Sequence, residues 1–272
     1  MTLEDWLRAH EFLRPIARLR ARIDAAIAAV GMPEAPSPDW TVYRADIQQR
    51  VPLLHSEASA SVLAPAIARL AGVVARLAPE PLEEPLGADM RALDAELRRD
   101  SDATDRAVDW LLAGDAPAGA GSLQYVGWLV MADYLKPVVN DFAGWRNDDG
   151  WLQRYCPTCG SLPSMAHLVG LDPGRRRFLA CGRCGDRWRY GRTQCPFCEA
   201  DSQRLSGWNV EGESGLRIDH CDACRGYLKT YDGQGSEAVL LADWTSLHLD
   251  LLARDRGLKR LAASLYDLDG AA

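Results

Sequence analysis

The 272-residue sequence lacks several features that would assign a protein to a well-known class. It has no apolar run of the roughly 18–20 residues needed to span a bilayer, so no stable membrane insertion is expected. Its first residues, MTLEDWLRAHEF, lack the positive start, the apolar stretch and the cleavage site of a secretory signal, which makes the cytoplasm the expected location. It also lacks a glycine-rich phosphate loop and a nucleophile elbow. We therefore predict no catalytic residue and expect a protein that is not an enzyme.

The charge of the chain is unevenly distributed. The formal net charge is −7, which argues against bulk attraction to nucleic acid or to anionic membranes. Between positions 154 and 194, however, arginines outnumber acids by eight to two, and they stand at 154, 175, 176, 177, 183, 187, 189 and 192. This basic patch on an acidic chain predicts either a surface for a partner or a solvated face of the fold, and both interpretations stay open.

The first 150 residues contain no cysteine and carry the apolar spacing of helices. Apolar residues separated by three or four positions share one face of a helix. Such runs occur at positions 13, 16, 19, 23, 27 and 30 and at Leu63, Ile67, Leu70, Val74 and Leu77. Shorter helices are predicted over 88–99 and 103–113, and a long apolar helix over 122–145. Residues 1–150 are thus predicted to form a helical bundle domain. Residues 236–272 are predicted to form a C-terminal helical segment, with leucines that include 240, 247, 251, 258, 261, 265 and 268.

Cysteine is absent outside C-x-x-C pairs. The thiols are those of Cys156, Cys159, Cys181, Cys184, Cys195, Cys198, Cys221 and Cys224. In a reducing compartment this pattern favours metal ligation over disulfides. The gaps between successive pairs are 21, 10 and 22 residues. Both long gaps run from a C-P-x-C pair through a strand, a glycine-containing turn and a second strand to another pair. This internal repeat predicts two four-cysteine ribbons, over 151–192 and 193–235.

Three pairings of the C-x-x-C motifs could build four-sulfur sites. Sequential pairing joins the first motif to the second and the third to the fourth, nested pairing joins the two middle motifs, and interleaved pairing gives a cross-brace. The matched hairpins favour sequential pairing, in which the ten residues GDRWRYGRTQ form a joint between the ribbons. Four thiolates at about 2.3 Å close the coordination sphere and leave no position for a substrate. Zinc and rubredoxin-type iron both suit such a cage. His220 is expected to lie outside the ligand set, and the isolated His10 and His55 are expected to make ordinary core or solvent hydrogen bonds.

These motifs resemble the formate dehydrogenase accessory protein FdhE family. The resemblance rests on YCPTCGSLPSMAHL, FLACGRCGDRWRYGRTQCPFCE and HCDACRGYLKTY. These segments share the order of the four pairs, a CP-x-CGS-x-P opening, Trp188 soon after the second pair, and YLK at 227–229 after the fourth. The resemblance covers about residues 154–232. In the N-terminal half it extends only to helical character and to a PLL segment at 52–54.

The resemblance implies a cytoplasmic assembly factor. Such a protein would bind the catalytic subunit of a molybdopterin-dependent formate dehydrogenase and would be required for the maturation of that enzyme. The resemblance also implies two metal ions held by all eight cysteines, with rubredoxin-type iron favoured and zinc as the alternative. As a hypothesis, Arg175, Arg176, Arg177, Trp188 and Arg189 form part of the client-binding face, since arginine and aromatic side chains dominate many interfaces. Packing of Trp188 between the ribbon and the bundle is the equal alternative.

Two other functions stay open at this stage. A zinc ribbon with these arginines could bind nucleic acid, although the acidic remainder of the chain makes nucleic acid an unexpected partner. Rubredoxin-like iron could carry electrons, although a large helical domain is superfluous for a simple carrier. A homo-oligomer is also left open. The predicted fold class is α+β, with an N-terminal all-α helical bundle, two tandem rubredoxin-like or zinc-ribbon four-cysteine modules, and a C-terminal helix.

Overall fold

The structure, a computed structural model, describes residues 1–32, 38–100, 102–113, 121–171 and 174–266. These residues form two compact units. The helical unit comprises Ala17–Trp145, and the cysteine unit comprises Met1–Ile16 together with Arg146–Tyr266. The predicted boundary near residue 150 lies close to the junction at Arg146, whereas the first 16 residues group with the cysteines rather than with the bundle.

Helices and strands together confirm the α+β class. Over the described residues the helices are α1 (Leu3–Ala9), α2 (Arg14–Val30), α3 (Arg44–Gln48), α4 (Ala60–Leu77), α5 (Leu86–Arg99), α6 (Ala103–Ala113), α7 (Gly121–Trp145), α8 (Asp148–Trp151), α9 (Glu237–Leu240) and α10 (Leu247–Asp255). The strands are β1 (Met165–Val169), β2 (Arg176–Ala180), β3 (Arg187–Tyr190), β4 (Leu205–Asn209), β5 (Leu216–Cys221) and β6 (Tyr227–Tyr231). Within the described ranges, none of the helices is long and apolar enough to cross a membrane.

Helix α4 forms the centre of the helical unit and contacts α5, α6 and α7. Its buried residues include Val62, Ala66, Leu70, Val73 and Leu77. Spacings of three and four residues place them on one face of the helix, so burial of that face stabilises the bundle. The helices predicted over 88–99, 103–113 and 122–145 are confirmed as α5, α6 and α7.

A half-buried ion pair and a close contact between two helices contribute to the packing of the helical unit. Arg69 of α4, whose side chain is 3% exposed, donates from Nη2 to Asp133 Oδ2 of α7 at 2.6 Å. A Cβ atom at Gly127 of α7 would lie 2.6 Å from Leu111 Cδ1 of α6. Glycine at 127 therefore lets α6 and α7 approach each other more closely than any other residue would.

The cysteine unit is built on one six-stranded sheet with the strand order β3-β2-β1-β6-β5-β4. Neighbouring strands within each ribbon are antiparallel. The two ribbons join where β1 and β6 pair in parallel, with Met165 opposite Lys229. Because this junction lies at the middle of the sheet, all five residues of β6 are buried.

The strand order supports the internal repeat. In each ribbon the first strand follows a C-P-x-C pair, the second leads to another pair, and the third follows that pair. Across the sheet the first ribbon has the strand order β3-β2-β1 and the second has β6-β5-β4. Each ribbon therefore runs from its third strand to its first in the same direction. The sequence predicts only two strands per ribbon. The segment interpreted as a joint contains the third strand of the first ribbon, β3, at the edge of the sheet.

The C-terminal segment is helical only in part. The predicted helix is present as α10, and Gly257, with φ of 69°, follows it in the left-handed conformation that commonly ends helices. The leucine run predicted from 258 onwards is not helical over the described residues. Instead, Lys259 forms an isolated parallel bridge to Gly226. Leu268 lies outside the described residues.

A buried charge network attaches this segment to β6. Lys229 Nζ lies 2.7 Å from Asp243 Oδ1 and 2.9 Å from Asp250 Oδ2. Arg260 pairs with the same two carboxylates at 2.8 and 2.6 Å. Tyr227 donates its hydroxyl hydrogen bond to Asp250 Oδ1 at 2.7 Å. Two of the three residues of the YLK motif thus anchor the C-terminal segment on the sheet.

Candidate metal centres

The four C-x-x-C pairs lie on turns that share a backbone hydrogen bond. In three of them the first cysteine donates its N–H to the carbonyl five residues later, at 2.8–2.9 Å, and its own carbonyl accepts from the N–H four residues later. In the remaining turn, Cys181 donates in the same way to the carbonyl of Asp186 at 2.8 Å. Such a turn directs two thiols towards one point, because the chain reverses between them.

The residue that follows each pair has a left-handed backbone. Its φ is 74° at Gly160, 78° at Gly185, 61° at Glu199 and 60° at Arg225. Glycine adopts this conformation without steric cost, whereas other L-residues pay about 1–2 kcal/mol. The first ribbon uses glycine at both positions and the second at neither. The recurrence of the conformation in all four turns is independent support for the duplication.

The sulfur atoms form two clusters, as sequential pairing predicts. One contains Cys156, Cys159, Cys181 and Cys184, and the other contains Cys195, Cys198, Cys221 and Cys224. Two sulfur pairs in the first cluster are 3.5 and 3.4 Å apart, and two in the second are 3.8 and 3.7 Å apart. A tetrahedron with metal–sulfur distances of about 2.3 Å has edges of about 3.8 Å. Both clusters therefore fit one tetrahedrally coordinated ion each, and His220 belongs to neither.

The two clusters differ in exposure. All four cysteines of the first cluster are buried, whereas Cys198 of the second is exposed and Cys224 is half-buried. Burial raises the pKa of the Cys156 and Cys184 thiols well above its usual value, and that of Cys195 to about 12. The backbone N–H of Ala200 lowers the pKa of Cys198. Buried thiols of this kind ionise readily only beside a cation, and a divalent metal ion supplies that charge.

A buried ion pair connects the two turns of the first cluster. Arg146 donates two hydrogen bonds to the Asp186 carboxylate, at 2.7 and 2.9 Å, and Thr158 donates a third at 2.6 Å. Thr158 lies inside the first C-x-x-C pair, and Asp186 lies two residues after the second. These bonds hold the two turns together and orient the thiols between them.

The second cluster is closed by an apolar contact at the equivalent positions. Phe197 stands where the first ribbon has Thr158, and Gly226 stands where it has Asp186. A Cβ atom at Gly226 would lie 3.0 Å from Phe197 Cδ2 and 2.8 Å from Leu261 Cδ1. The absent side chain therefore makes room for the phenylalanine ring and for the C-terminal segment.

Comparison with known proteins identifies the family. No family model matches the chain. A protein named FdhE homolog from Stutzerimonas stutzeri is 31% identical over 210 residues, which is 66% of each chain. The chain belongs to the FdhE family. An FdhE homolog from Aquifex aeolicus is 31% identical over 133 residues, 47% of each chain. Protein FdhE of Escherichia coli is 30% identical over 148 residues, which is 53% of this chain and 47% of that protein.

The matched segments span about half to two thirds of these FdhE relatives. At the level of the fold the likeness extends further. The crystal structure of the FdhE protein from Pseudomonas aeruginosa aligns with a TM-score of 0.68 and 23% identity, and covers 98% of this chain and 94% of that one. The shared architecture therefore includes the helical half, where the sequence resemblance is limited.

Four of the five partner-binding candidates in this FdhE-family chain line one cavity. Arg175, Arg176, Arg177 and Arg189 surround a space of about 350 Å³, together with Arg192 and with Asp149 as its acidic residue. Arg176 is exposed, whereas Arg177 is buried and donates to the backbone carbonyls of Gly191 and Gln194.

Trp188 is not available at this surface. Its side chain is fully buried, and its Nε1 donates to the Gln153 carbonyl at 2.8 Å. Trp188 is therefore interior to the cysteine unit, because β3 turns this side chain away from solvent. The client-binding role of the four arginines stays a prediction.

One group of side chains in this chain was not predictable from the sequence. His10, expected to make ordinary core or solvent hydrogen bonds, lies beside Glu213 and His248 within the cysteine unit. Its Nε2 is 2.9 Å from Glu213 Oε1, across 203 residues of sequence. No spacing rule could have found this contact, since the three residues come from separate parts of the chain.

Proposed function

We propose that this protein is an assembly factor for a molybdopterin-dependent formate dehydrogenase, whose catalytic subunit it binds during maturation. The observation that carries the proposal is the membership of the FdhE family in a chain that holds two closed four-cysteine clusters. A metal with four protein sulfurs has no position for a substrate, so each cluster suits a structural or electron-carrying role better than metal hydrolysis. A binding function fits this arrangement.

The arginine cavity is the proposed client-binding surface. It shares Arg177 and Arg192 with a second cavity, of about 200 Å³, that also touches Cys195, Phe197 and Cys221. A client segment that enters the arginine cavity would thus lie close to the more exposed cluster. Carboxylate-bearing segments suit this surface, because guanidinium groups bind carboxylates through paired hydrogen bonds.

Charge reversal tests this surface. The variant Arg176→Glu, Arg189→Glu should reduce co-purification of the formate dehydrogenase catalytic subunit at least about tenfold, since interface arginines often contribute more than 1–2 kcal/mol. Arg177 is left intact because its guanidinium supports the backbone. Arg204→Glu is the matched control, since Arg204 is exposed in the same unit and lines neither cavity. Equal recovery of the subunit with all three proteins, at equal metal content, would contradict the proposal.

Metal identity and the two rival functions need separate measurements. Metal analysis of anaerobically purified protein distinguishes red tetrathiolate iron from colourless zinc, and we propose iron. Steeply salt-dependent binding to nucleic acid in a gel shift would favour the nucleic-acid-binding function. Reversible one-electron transfer to a partner, without any effect on formate dehydrogenase maturation, would favour an electron carrier.

A further inference from the structure

His10, Glu213 and His248 meet at one point of the cysteine unit, and none of them belongs to either sulfur cluster. His10 follows α1, Glu213 lies in the turn between β4 and β5, and His248 is the second residue of α10. The Nε2 atoms of both histidines lie 2.9 Å from the same carboxylate atom, Glu213 Oε1. Two imidazole nitrogens and one carboxylate thus converge from three separate segments.

The hydrogen bonds of His10 determine which of its nitrogens carries a proton. Its Nδ1 lies 3.0 Å from the carbonyl oxygen of Trp6, which can only accept a hydrogen bond. Nδ1 must therefore be the protonated nitrogen. In a neutral imidazole, Nε2 then presents a lone pair towards Glu213 Oε1, and a metal ion bound by both atoms would stabilise this arrangement. Histidines that bind metals typically donate their other ring N–H to a backbone carbonyl in this way.

Two further polar atoms of the group make no hydrogen bond within the described ranges. They are Glu213 Oε2 and His248 Nδ1, and both are buried. The Glu213 side chain is only 9% exposed. A buried polar atom without a hydrogen bond destabilises the fold, and a metal ion bound by Glu213 would use the free lone pairs of its carboxylate.

Aromatic rings enclose the same point. Trp6 stacks on His10 with ring centroids 4.0 Å apart, and Phe12 presents its ring nearly perpendicular to both imidazoles at 5.8 and 5.6 Å. These rings restrict the imidazole orientations. The side chains of the two histidines are only 12% and 16% exposed, so their positions are constrained by packing.

We propose that His10, Glu213 and His248 bind one divalent transition-metal ion as a third metal site of this protein. Two imidazoles and a carboxylate suit Zn²⁺, Fe²⁺ or Co²⁺ better than Mg²⁺ or Ca²⁺, which prefer all-oxygen sites. Three protein ligands leave at least one coordination position for water or for a partner's side chain. The ion also connects the N-terminal helix, the second ribbon and α10, which are otherwise distant in sequence.

The number of cobalt ions bound by the intact protein tests this site. Full-length protein with zinc in the cysteine clusters is dialysed against micromolar Co²⁺, and both metals are counted by mass spectrometry. The wild type should bind one cobalt ion without the strong thiolate-to-cobalt charge-transfer bands. In Glu213→Gln, His10→Ala and His248→Ala the apparent affinity should fall at least about 100-fold, the upper end of the loss caused by removing a group that only orients a ligand. His55→Ala, a histidine of the helical unit, should bind cobalt as the wild type does.

A second measurement needs no variant. Zinc added to the zinc-loaded wild type should shift the imidazole nitrogen resonances of two of the five histidines. Absence of a third metal equivalent and of these shifts would overturn the proposal and leave only a hydrogen bond between His10 and Glu213. Cobalt binding that persists in all three ligand variants would overturn it as well.

Discussion

Replacement of Lys229 by methionine probes the charge network that holds the C-terminal segment on β6. The Lys229 ammonium is 1% exposed, and it contacts Asp243 Oδ1, the Asp243 carbonyl and Asp250 Oδ2 at 2.7, 2.9 and 2.9 Å. Its removal leaves two buried carboxylates facing the single guanidinium of Arg260. Loss of one partner from a buried ion pair costs about 3–5 kcal/mol. Methionine has a similar volume, so the additional packing loss is expected to stay below about 1.5 kcal/mol.

The effect of Lys229→Met should depend on pH in a defined direction. Burial raises the pKa of Asp243, but Lys229 and Arg260 outweigh it, and the pKa lies below its usual value. In the wild type this carboxylate therefore stabilises the fold at pH above about 4, and the contribution is lost as the pH falls through the lowered pKa. In the variant the carboxyl has lost a cation and its pKa rises. The penalty of the variant should therefore be full at pH 7 and smaller at pH 5.

Hydrogen exchange of the β6 amides measures this penalty locally. A local measurement is preferable because a chain with two units has no single free energy of unfolding. At pH 7 the variant should exchange these amides about 10²–10⁴-fold faster, after correction for intrinsic rates, which corresponds to 3–5 kcal/mol. The same substitution at the exposed Lys136 of α7 should change exchange by less than about 0.5 kcal/mol. Unchanged β6 protection in Lys229→Met, or a loss that is equal at pH 5 and pH 7, would refute the reasoning.

Three further predictions follow from the metal centres. In a thermal melt, Gly185→Ala should destabilise the cysteine unit by about 1–2 kcal/mol. The cause is its φ of 78° alone, since an added Cβ meets nothing within 4 Å. The control Gly144→Ala, in a helix and equally free of contacts, should not be destabilising. A chelator should remove metal in two phases, the faster one from the second cluster, whose Cys198 is exposed. Cys198→Ser should abolish that faster phase. A single phase in the wild type would contradict the difference in exposure between the two clusters. Asp186→Asn leaves the buried Arg146 with a weaker partner beside the first cluster. It should therefore accelerate only the slower phase of metal loss, which we assign to that cluster. An effect on the faster phase would disprove this assignment.

Much of the helical unit is predictable because helix periodicity is local. The apolar spacing in α4 and the runs over 88–99, 103–113 and 122–145 predict helices that the structure confirms. The leucines from 258 onwards have a similar spacing, yet they follow Gly257, and Lys259 between them forms an isolated bridge to Gly226 instead of continuing a helix. Periodicity states which face would be buried if a helix forms, whereas tertiary contacts decide whether it does.

The grouping of the cysteines was also accessible from the sequence. Two gaps of nearly equal length indicate repeated hairpins, and a C-x-x-C turn needs only local hydrogen bonds to direct its thiols. The joining of both ribbons into one sheet was not accessible. The parallel pairing of β1 with β6 connects strands about 60 residues apart, and no local pattern encodes which strand edges meet.

The sequence by itself determined the eight thiols and the resemblance to the FdhE family, and it favoured the division of the thiols into two clusters, because these depend on residue type and spacing. Only the tertiary structure decided that the first cluster is enclosed while Cys198 of the second is exposed, and that Trp188 is interior. It alone brought His10 to Glu213 and His248. Burial and long-range contacts arise when separate segments pack together, and spacing along the chain carries no information about that packing.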